Sequence, residues 1–393
     1  MMIITSRLIE DARFYDKPIL IFFTDDSCVD CEKIYTELQQ RPIFSRYLSI
    51  KIDALEYLQY TVRLTRGIVP SITILNPDLN VLGLLESKDI KFIENKLREI
   101  LNDYKNRKLK GIKIEEYVPE PIEPTEAIIY DVINYILKGY ETDSRMIEVY
   151  LTYSNIYKDY LKIKDKIKPS DELARYLLHK DTQVKLDKTY SANLAMLVNY
   201  DLAQVDELIG FIDLNSGEVY RSIKRKNKGL LLDEALVGSA LLKAYERTFD
   251  EKYLNISTKI ADYIINNLNH EKGFRDSKIV DEITKITYLE PISNAEASIF
   301  FAEMFNLTNC EKYKEFALKG LKSALGSNPE NTKITSRVAI AYLKLFDSIK
   351  ANTPIDVIDS RITILKNNNC DRGMLYYDGK CYSKIEDIKS KFF

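Results

Sequence analysis

The chain has 393 residues, and its 57 basic and 59 acidic side chains leave a formal net charge of −2 at pH 7. This length predicts two or three folded units, and the balanced charge argues against a broad basic surface for nucleic acid or an anionic membrane. No stretch approaches about 18 uninterrupted apolar residues, the length that a membrane-spanning helix needs. We therefore expect a cytoplasmic protein that binds neither nucleic acid nor membrane.

The first predicted elements are an apolar strand at 18–23 and a helix that runs toward residue 40. Between them lie Cys28 and Cys31, separated by Val29 and Asp30. Two thiols at this spacing can close a disulfide, and a helix N-terminus stabilises the thiolate that thiol chemistry needs. The sequence predicts a dithiol redox site with Cys28 and Cys31 as catalytic residues, in which Cys28 is the nucleophile.

Other interpretations of the cysteine pair stay open at this point. The two cysteines could form a static disulfide or pack as apolar side chains. A metal site is less favoured, because one CxxC motif supplies two ligands and the sequence has no second CxxC and no spaced His pair. We predict no metal and no cofactor. Nearby acids, Asp25, Asp26, Asp30 and Glu32, should make the thiolate harder to form.

Five further elements follow in chain order. We predict a strand at 47–53, a helix at 54–64, strands at 71–75 and 81–85, and a long amphipathic helix at 88–104. Together with the cysteine pair at a strand-to-helix junction, this order resembles a thioredoxin-like domain.

The motif IVPSITIL, which contains Val69 and Pro70, resembles the segment that carries a cis-proline beside the dithiol in such domains. The resemblance implies that Val69 and Pro70 bind the substrate backbone. Two positions depart from the thioredoxin pattern: Ser27 stands in place of a Trp, and Phe22 stands in place of a buried acid. Proton handling is therefore expected to differ.

Prolines interleaved with glutamates at Pro119, Pro121 and Pro124 favour an extended connector after the first domain. The predicted organisation is a thioredoxin-like domain at 1–108, a proline-rich linker at 109–125, a helical domain at 126–350 and a C-terminal tail at 351–393.

One helix-turn-helix unit recurs in the helical domain. The segments 231–254 and 291–321 share it, and Glu-Lys-Tyr at 251–253 is repeated at 311–313. A weaker third copy is predicted at 157–161. Such recurrence indicates stacked helical hairpins.

Three stretches of this region, 186–203, 231–254 and 290–298, resemble the spermatogenesis-associated protein 20-like family. That family joins a thioredoxin-like domain to an (α/α)-toroid of six-hairpin glycosidase type. The resemblance implies a multidomain α/β plus all-α fold, with a thioredoxin-like N-terminal domain followed by a helical-hairpin toroid. The chain would be a short, divergent member: it lacks the family's Cys-His-x-Cys and Gly-Gly-Phe sequences, and its toroid need not be complete.

Three classes of function compete. The first is a thiol–disulfide oxidoreductase that acts on a protein or small-molecule thiol or disulfide, with Cys31 resolving the adduct on Cys28. The second is a sugar-acting enzyme, an epimerase or glycosidase, with paired carboxylates or histidines in a toroid pocket. The third is a non-catalytic module that recruits a protein or a carbohydrate for the redox domain.

Candidates for a toroid pocket are Asp233, Asn294 and Glu296, with Glu234 and Glu290 as further acids. An acid near a helix start is more often a cap than a catalyst. A two-histidine epimerase would need His179 and His270, the only histidines, in one pocket. Convergence of ionisable groups in a deep pocket favours the sugar enzyme, whereas an apolar or aromatic pocket favours the binding module.

The tail contains a hairpin signal at Asp378-Gly379. We expect this hairpin to dock on the folded protein through its tyrosines. Cys381 matches a cysteine of the family's C-terminus; it could pair with Cys370 or remain an incidental thiol.

Overall fold

The computed structural model describes residues 3–180 and 183–391, and it shows a mixed α/β chain in two compact units. The first unit contains the residues through Tyr117 together with Ser277–Tyr288, and the second contains Val118–Asp276 and the chain from Leu289 onward. Element labels below count along the chain.

The first unit is built around a four-stranded mixed sheet of strand order β2-β1-β3-β4. Its elements are α1 (Ser6–Phe14), β1 (Ile19–Thr24), α2 (Cys31–Gln39), a 3₁₀ helix (Phe44–Arg46), β2 (Leu48–Asp53), α3 (Leu58–Leu64), β3 (Ser71–Leu75), β4 (Val81–Leu85), α4 (Ile90–Lys105) and, from later in the chain, α12 (Glu282–Lys285). β1 runs parallel to β2 and antiparallel to β3, and β4 is antiparallel to β3. Alternate side chains of β1 enter two separate cores, which explains its uninterrupted apolar run.

Most of these elements were predictable, and two differences have local causes. The strands at 71–75 and 81–85 are confirmed. The helix predicted at 54–64 begins only at Leu58, because the Asp53 carboxylate accepts the backbone N–H groups that follow it and holds a turn. Helix α1 was not predicted from the sequence, because it buries only two of its side chains, Ile9 and Ala12.

Residues 277–288 belong to the first unit, although the sequence placed them in the helical domain. Ile283 is fully buried in the same core as Tyr60. The Asp281 carboxylate accepts hydrogen bonds from the Tyr60 hydroxyl and from the backbone N–H of Ile4, the latter at 3.2 Å. The predicted single helical domain is therefore interrupted by a segment that completes the first unit.

The predicted linker at 109–125 is extended but hydrogen-bonded. Ile112 exchanges backbone hydrogen bonds of 2.8 and 2.7 Å with Val81 of β4, in the first unit. In the second unit, the backbone N–H of Ile122 donates to the carbonyl of Lys322 at 3.1 Å. The linker is thus divided between the two units.

The second unit is mostly helical. Its helices are α5 (Ala127–Leu137), α6 (Ser144–Ile156), α7 (Glu172–His179), α8 (Ser191–Asn199), α9 (Val205–Ile209), α10 (Leu231–Thr248), α11 (Glu251–Asn267), α13 (Pro291–Thr308), α14 (Glu311–Ser327) and α15 (Thr332–Phe346). Short strands pair locally as β5 (Glu141–Thr142) with β6 (Lys168–Pro169) and β7 (Asn269–His270) with β8 (Gly273–Phe274). The two strongest predicted hairpins are confirmed as α10–α11 and α13–α14, whereas the weaker copy predicted at 157–161 lies in a 3₁₀ helix, Lys158–Lys166.

Helices α10 and α13 pack closely in the centre of this unit. A Cβ atom at Gly238 of α10 would lie 2.5 Å from the ring of Phe300 on α13, so a glycine is required at this contact.

The tail forms a second four-stranded sheet of order β10-β9-β11-β12. Its elements are β9 (Ile349–Ala351), β10 (Ile362–Ile364), β11 (Leu375–Tyr377), β12 (Lys380–Tyr382) and a 3₁₀ helix (Ile385–Asp387). Cys370 and Cys381 form a disulfide. The Tyr377 hydroxyl donates to the Asp347 carboxylate at 2.5 Å, just after α15. The hairpin is therefore docked, and of the two alternatives for Cys381 the structure has the disulfide with Cys370.

Candidate functional site

Cys28 and Cys31 form a disulfide in the loop between β1 and α2, with their Cα atoms 5.3 Å apart. Because α2 begins at Cys31, Cys28 lies just before the helix rather than in its first turn. Cys31 is only 1% exposed, whereas Cys28 is half-buried and is followed by Val29, which is 91% exposed. A reagent in solution therefore reaches Cys28 more easily than Cys31.

The Asp25 carboxylate fixes the loop that carries the dithiol. Its Oδ1 accepts the backbone N–H groups of Ser27 and Cys28, both at 2.9 Å, and the Ser27 hydroxyl at 2.5 Å. Such side chain-to-backbone bonds are typical of Asx turns. Asp25 is thus a positioning residue for Cys28 as well as a nearby negative charge.

Two lysines from other elements pair with acids of the dithiol segment. Lys88, which follows β4, lies 3.1 Å from the Asp30 carboxylate, and Lys51 of β2 pairs with Glu32. These cations offset part of the negative charge that the sequence analysis expected to oppose thiolate formation. Sequence reasoning missed both lysines, because sheet pairing brings them to the motif from distant positions.

Val69 and Pro70 lie just before β3, at the same end of the sheet as the dithiol loop, which follows β1. The pairing of Phe23 with Ser71 puts the end of β1 beside the start of β3. The Val69–Pro70 peptide bond is cis, as the resemblance implied. Pro70 is buried and Val69 is half-buried, while the preceding Ile68 is 53% exposed.

The place of the buried acid in the thioredoxin pattern is apolar here. Phe22 is fully buried, and its ring lies 5.1 Å from that of Tyr35 on α2. A different carboxylate lies at the same end of the sheet. Glu86 directly follows Leu85, the last residue of β4, which pairs with Ile72 near the start of β3. In the part of the chain that the structure describes, Glu86 Oε1 is buried without a hydrogen-bond partner. Glu86 is thus a carboxylate at this end of the sheet that no motif revealed.

The three residues predicted for a toroid pocket have structural partners. Asp233 pairs with Arg221 at 2.6 Å. The Asn294 amide accepts the backbone N–H of Phe274 at 2.8 Å and donates to its carbonyl at 2.9 Å. Glu296 binds two arginines, from α6 at 2.7 Å and from α15 at 3.2 Å. These partners hold the three side chains inside the second unit.

The other predicted acids and the histidines are also separate from one another. Glu234 accepts the backbone N–H of Val219 at 2.7 Å, and Glu290 caps the start of α13. His179 lies at the end of α7, whereas His270 lies in β7 and accepts a backbone N–H through Nδ1.

A cavity of about 520 Å³ in the second unit is lined by a different set of residues. They are Glu148, Lys180, Asn199, Tyr200, Asp201, Lys243, Glu246, Arg247, Lys344 and, from the tail, Pro354, Ile355, Asp356, Val357, Ile358, Asp359, Ser360, Ile362 and Ile364. Asp233, Asn294 and Glu296 are not among them, so the three predicted pocket residues do not line this cavity. Ionisable groups do converge in it, from α6, α10 and α15.

No protein-family model matches this chain, and no curated protein matches its sequence. Across residues 3–180 and 183–391, no group of three or more His, Cys, Asp or Glu side chains is arranged to hold a metal ion. Within the same residues, no helix has the length and apolar character needed to cross a membrane.

Proposed function

We propose that this protein is a thiol–disulfide oxidoreductase whose first unit is thioredoxin-like. One observation carries the proposal: a disulfide joins a partly accessible Cys28 to a buried Cys31, at the same end of the sheet as Pro70. Such asymmetry suits exchange, because a partner in solution meets one sulfur while the other is kept for resolution.

In the reducing direction, the Cys28 thiolate attacks a substrate disulfide. A bond forms between Cys28 and one substrate sulfur, and the other substrate sulfur leaves as a thiolate. The Cys31 thiolate then attacks the Cys28 sulfur, which closes the Cys28–Cys31 disulfide and releases the second substrate thiolate. The substrate gains two electrons and, through solvent, the two protons that the cysteines lost. The reverse sequence oxidises a dithiol substrate.

The surface beside Cys28 suits a peptide substrate with an apolar residue near its cysteine. Val29, next to Cys28, and Ile68, two residues before Pro70, are both exposed, and they would supply the apolar contacts to such a substrate. Val69 and Pro70, at the start of β3, would hold the substrate backbone. Protein disulfides are therefore the favoured substrates over small thiols.

We propose further that the second unit is an (α/α)-toroid and that the chain is a short, divergent relative of the spermatogenesis-associated protein 20-like family. The repeated hairpins α10–α11 and α13–α14 support this assignment. The proposal includes a cytoplasmic location, where a CxxC pair is more often catalytic than structural.

Trapping experiments on single cysteine variants test the proposed function. In a Cys310→Ser background, which removes the exposed free thiol, Cys31→Ser should accumulate mixed disulfides with substrate proteins, because the adduct on Cys28 cannot be resolved. Cys28→Ser should accumulate none. Equal trapping by both variants, or by neither, would contradict the assignment of Cys28 as nucleophile.

A further inference from the structure

The disulfide of the tail, Cys370–Cys381, can be reached from solvent. Cys381 of β12 is exposed, and Cys370 is half-buried in residues 368–373, which precede β11 and are called the disulfide loop. An exposed disulfide has a higher reduction potential than a protected one, and labile or regulatory disulfides are of this kind. The bond is therefore open to exchange with a dithiol in solution.

Asn352, the residue after β9, joins the disulfide loop to the rest of the tail. Its Nδ2 donates to the side-chain oxygen of Asn368 at 2.7 Å and to the carbonyl of Cys370 at 3.1 Å. Its Oδ1 accepts the backbone N–H of Gly373 at 2.9 Å. The side chain of one residue thus bonds to the start, the middle and the end of the disulfide loop.

Residues 353–357, which we call the strap, follow Asn352 and take part in no hydrogen bond within the described chain. Ile355 of the strap packs on the apolar core of the tail. The far end is fixed just beyond the strap, where the backbone N–H of Ser360 donates to the hydroxyl of Thr152 on α6 at 2.8 Å. Four strap residues, from residue 354 onward, line the cavity of the second unit. The strap is therefore a part of the cavity wall whose near anchor is Asn352.

We propose that the Cys370–Cys381 disulfide is a redox clamp that controls access to this cavity. While the bond is intact, it limits the conformations of the disulfide loop, and the loop holds Asn352 and the near end of the strap. Reduction gives the loop more conformations, so its bonds to Asn352 break and the strap leaves the cavity wall. Every residue of the clamp belongs to the second unit, so the proposal does not depend on the chemistry of Cys28 and Cys31.

The reductant of the clamp is a dithiol. One of its thiolates attacks the exposed Cys381 sulfur, so that an S–S bond forms between the two and Cys370 leaves as a thiolate. The second thiolate of the reductant then attacks the reductant's own sulfur in the mixed disulfide and releases Cys381. Two electrons pass to the tail, the reductant becomes a disulfide, and the two cysteines take up, through solvent, the two protons that the dithiol lost.

Labelling of Lys344 with an amine-reactive reagent measures access to the cavity in the full chain. Lys344 lines the cavity and is only 2% exposed. A phosphine, together with water, reduces the disulfide to two thiols without adding a competing thiol or amine. We expect reduction to speed the labelling of Lys344 by about tenfold or more, because local opening sets the rate at which a buried group reacts. Lys91, which is exposed on α4, should be labelled at an unchanged rate.

The double variant Cys370→Ser/Cys381→Ser separates the clamp from other effects of the reductant. Its Lys344 should be labelled fast without reductant, and the phosphine should add nothing, although the Cys28–Cys31 bond is still reduced. Faster labelling on reduction in this variant as well would assign the effect to another disulfide and overturn the proposal.

Asn352→Ala tests the link to the strap and keeps all cysteines, so it also serves if the double variant does not fold. Its Lys344 should be labelled fast in the oxidised protein, whereas Asn134→Ala, at an exposed position on α5, should behave as the wild type. Three further results would overturn the proposal. They are labelling of Lys344 that reduction leaves unchanged, slow labelling in oxidised Asn352→Ala, and faster amide exchange throughout α10 and α13 on reduction, which would identify a bond that stabilises the whole unit.

Discussion

The carboxylate of Asp25 accepts the backbone N–H of Cys28 at 2.9 Å. Asp25, the residue directly after β1, therefore fixes the position of the first cysteine of the dithiol. This relationship links a conformational role to a residue that the sequence analysis had counted only as a negative charge. It also gives a direct way to separate the two effects.

Asp25→Ala should lower the free energy of unfolding by about 1 kcal/mol, as loss of a comparable capping acceptor does. It should also change the alkylation rate of reduced Cys28, because the loop loses the hydrogen bonds that hold the Ser27 and Cys28 backbone. Asp25→Asn keeps an acceptor oxygen without the charge and should retain most of the stability. Denaturant unfolding measures both variants, and equal losses would mean that the charge rather than the hydrogen bond matters.

Lys88→Met should slow alkylation of reduced Cys28 at neutral pH by about twofold at low ionic strength, since an exposed ion pair contributes less than about 1 kcal/mol. The lysine offsets the charge of Asp30, and without it the thiolate faces more negative charge. Lys33→Met, on the exposed side of α2, is the matched control and should have little effect. The difference should disappear in high salt, because screening removes exposed charge interactions; a difference that persists would point to a change of structure.

Ile283→Ala should destabilise the first unit by about 2 to 4 kcal/mol, because it empties a fully buried position in the core that contains Tyr60. Amide hydrogen exchange should show faster exchange in β1 and α3. Ile279→Ala is the control in the same segment, since Ile279 is 54% exposed. If Ile283→Ala left β1 protected and instead exposed α13, residues 277–288 would not support the first unit.

Stability of the second unit should fall on acidification through the titration of Glu148. Burial alone would raise the pKa of this carboxyl, but the charges of Arg145 and Lys344 and the hydrogen bonds from Arg145 and Tyr200 hold it below its ordinary value of 4.5. A pKa that is lower in the folded than in the unfolded state adds stability that is present above that ordinary value and is lost as the pH falls through the lowered pKa.

Glu148→Gln should therefore flatten the dependence of melting temperature on pH in the acid range. It should also lower stability at neutral pH by about 3 kcal/mol, since it breaks a buried ion pair with Arg145. Glu330→Gln, at an exposed position, should leave the pH profile unchanged. An unchanged profile in Glu148→Gln would show that other carboxylates govern acid unfolding.

The sequence predicted the parts of the fold that depend on local pattern. The uninterrupted apolar run of β1 and the apolar stripes of α10 and α11 identify these elements, and the cysteine pair marks the junction between β1 and α2. Residues 277–288 could not be assigned this way, because their packing on α3 depends on contacts between distant positions. The same holds for Lys51 and Lys88, which reach the dithiol through strand pairing.

The cavity residues were missed for a different reason. Two of the predicted acids, Asp233 and Glu290, lie at helix starts, whereas Glu246 lies near the end of α10, about one turn after Leu242. An acid on an otherwise apolar stripe is the signal that could have found it, since charged residues are seldom buried without a partner.

The reduction potential of the Cys28–Cys31 pair tests the central claim most directly. The folded full chain, with Cys310 replaced by serine, is equilibrated in defined thiol–disulfide buffers, and alkylation with mass spectrometry separates this pair from Cys370–Cys381. The account predicts reversible reduction without unfolding, at about −120 to −270 mV, the range of exchange-active dithiols. A potential below about −300 mV, or reduction only after unfolding, would identify a structural bond and contradict the account.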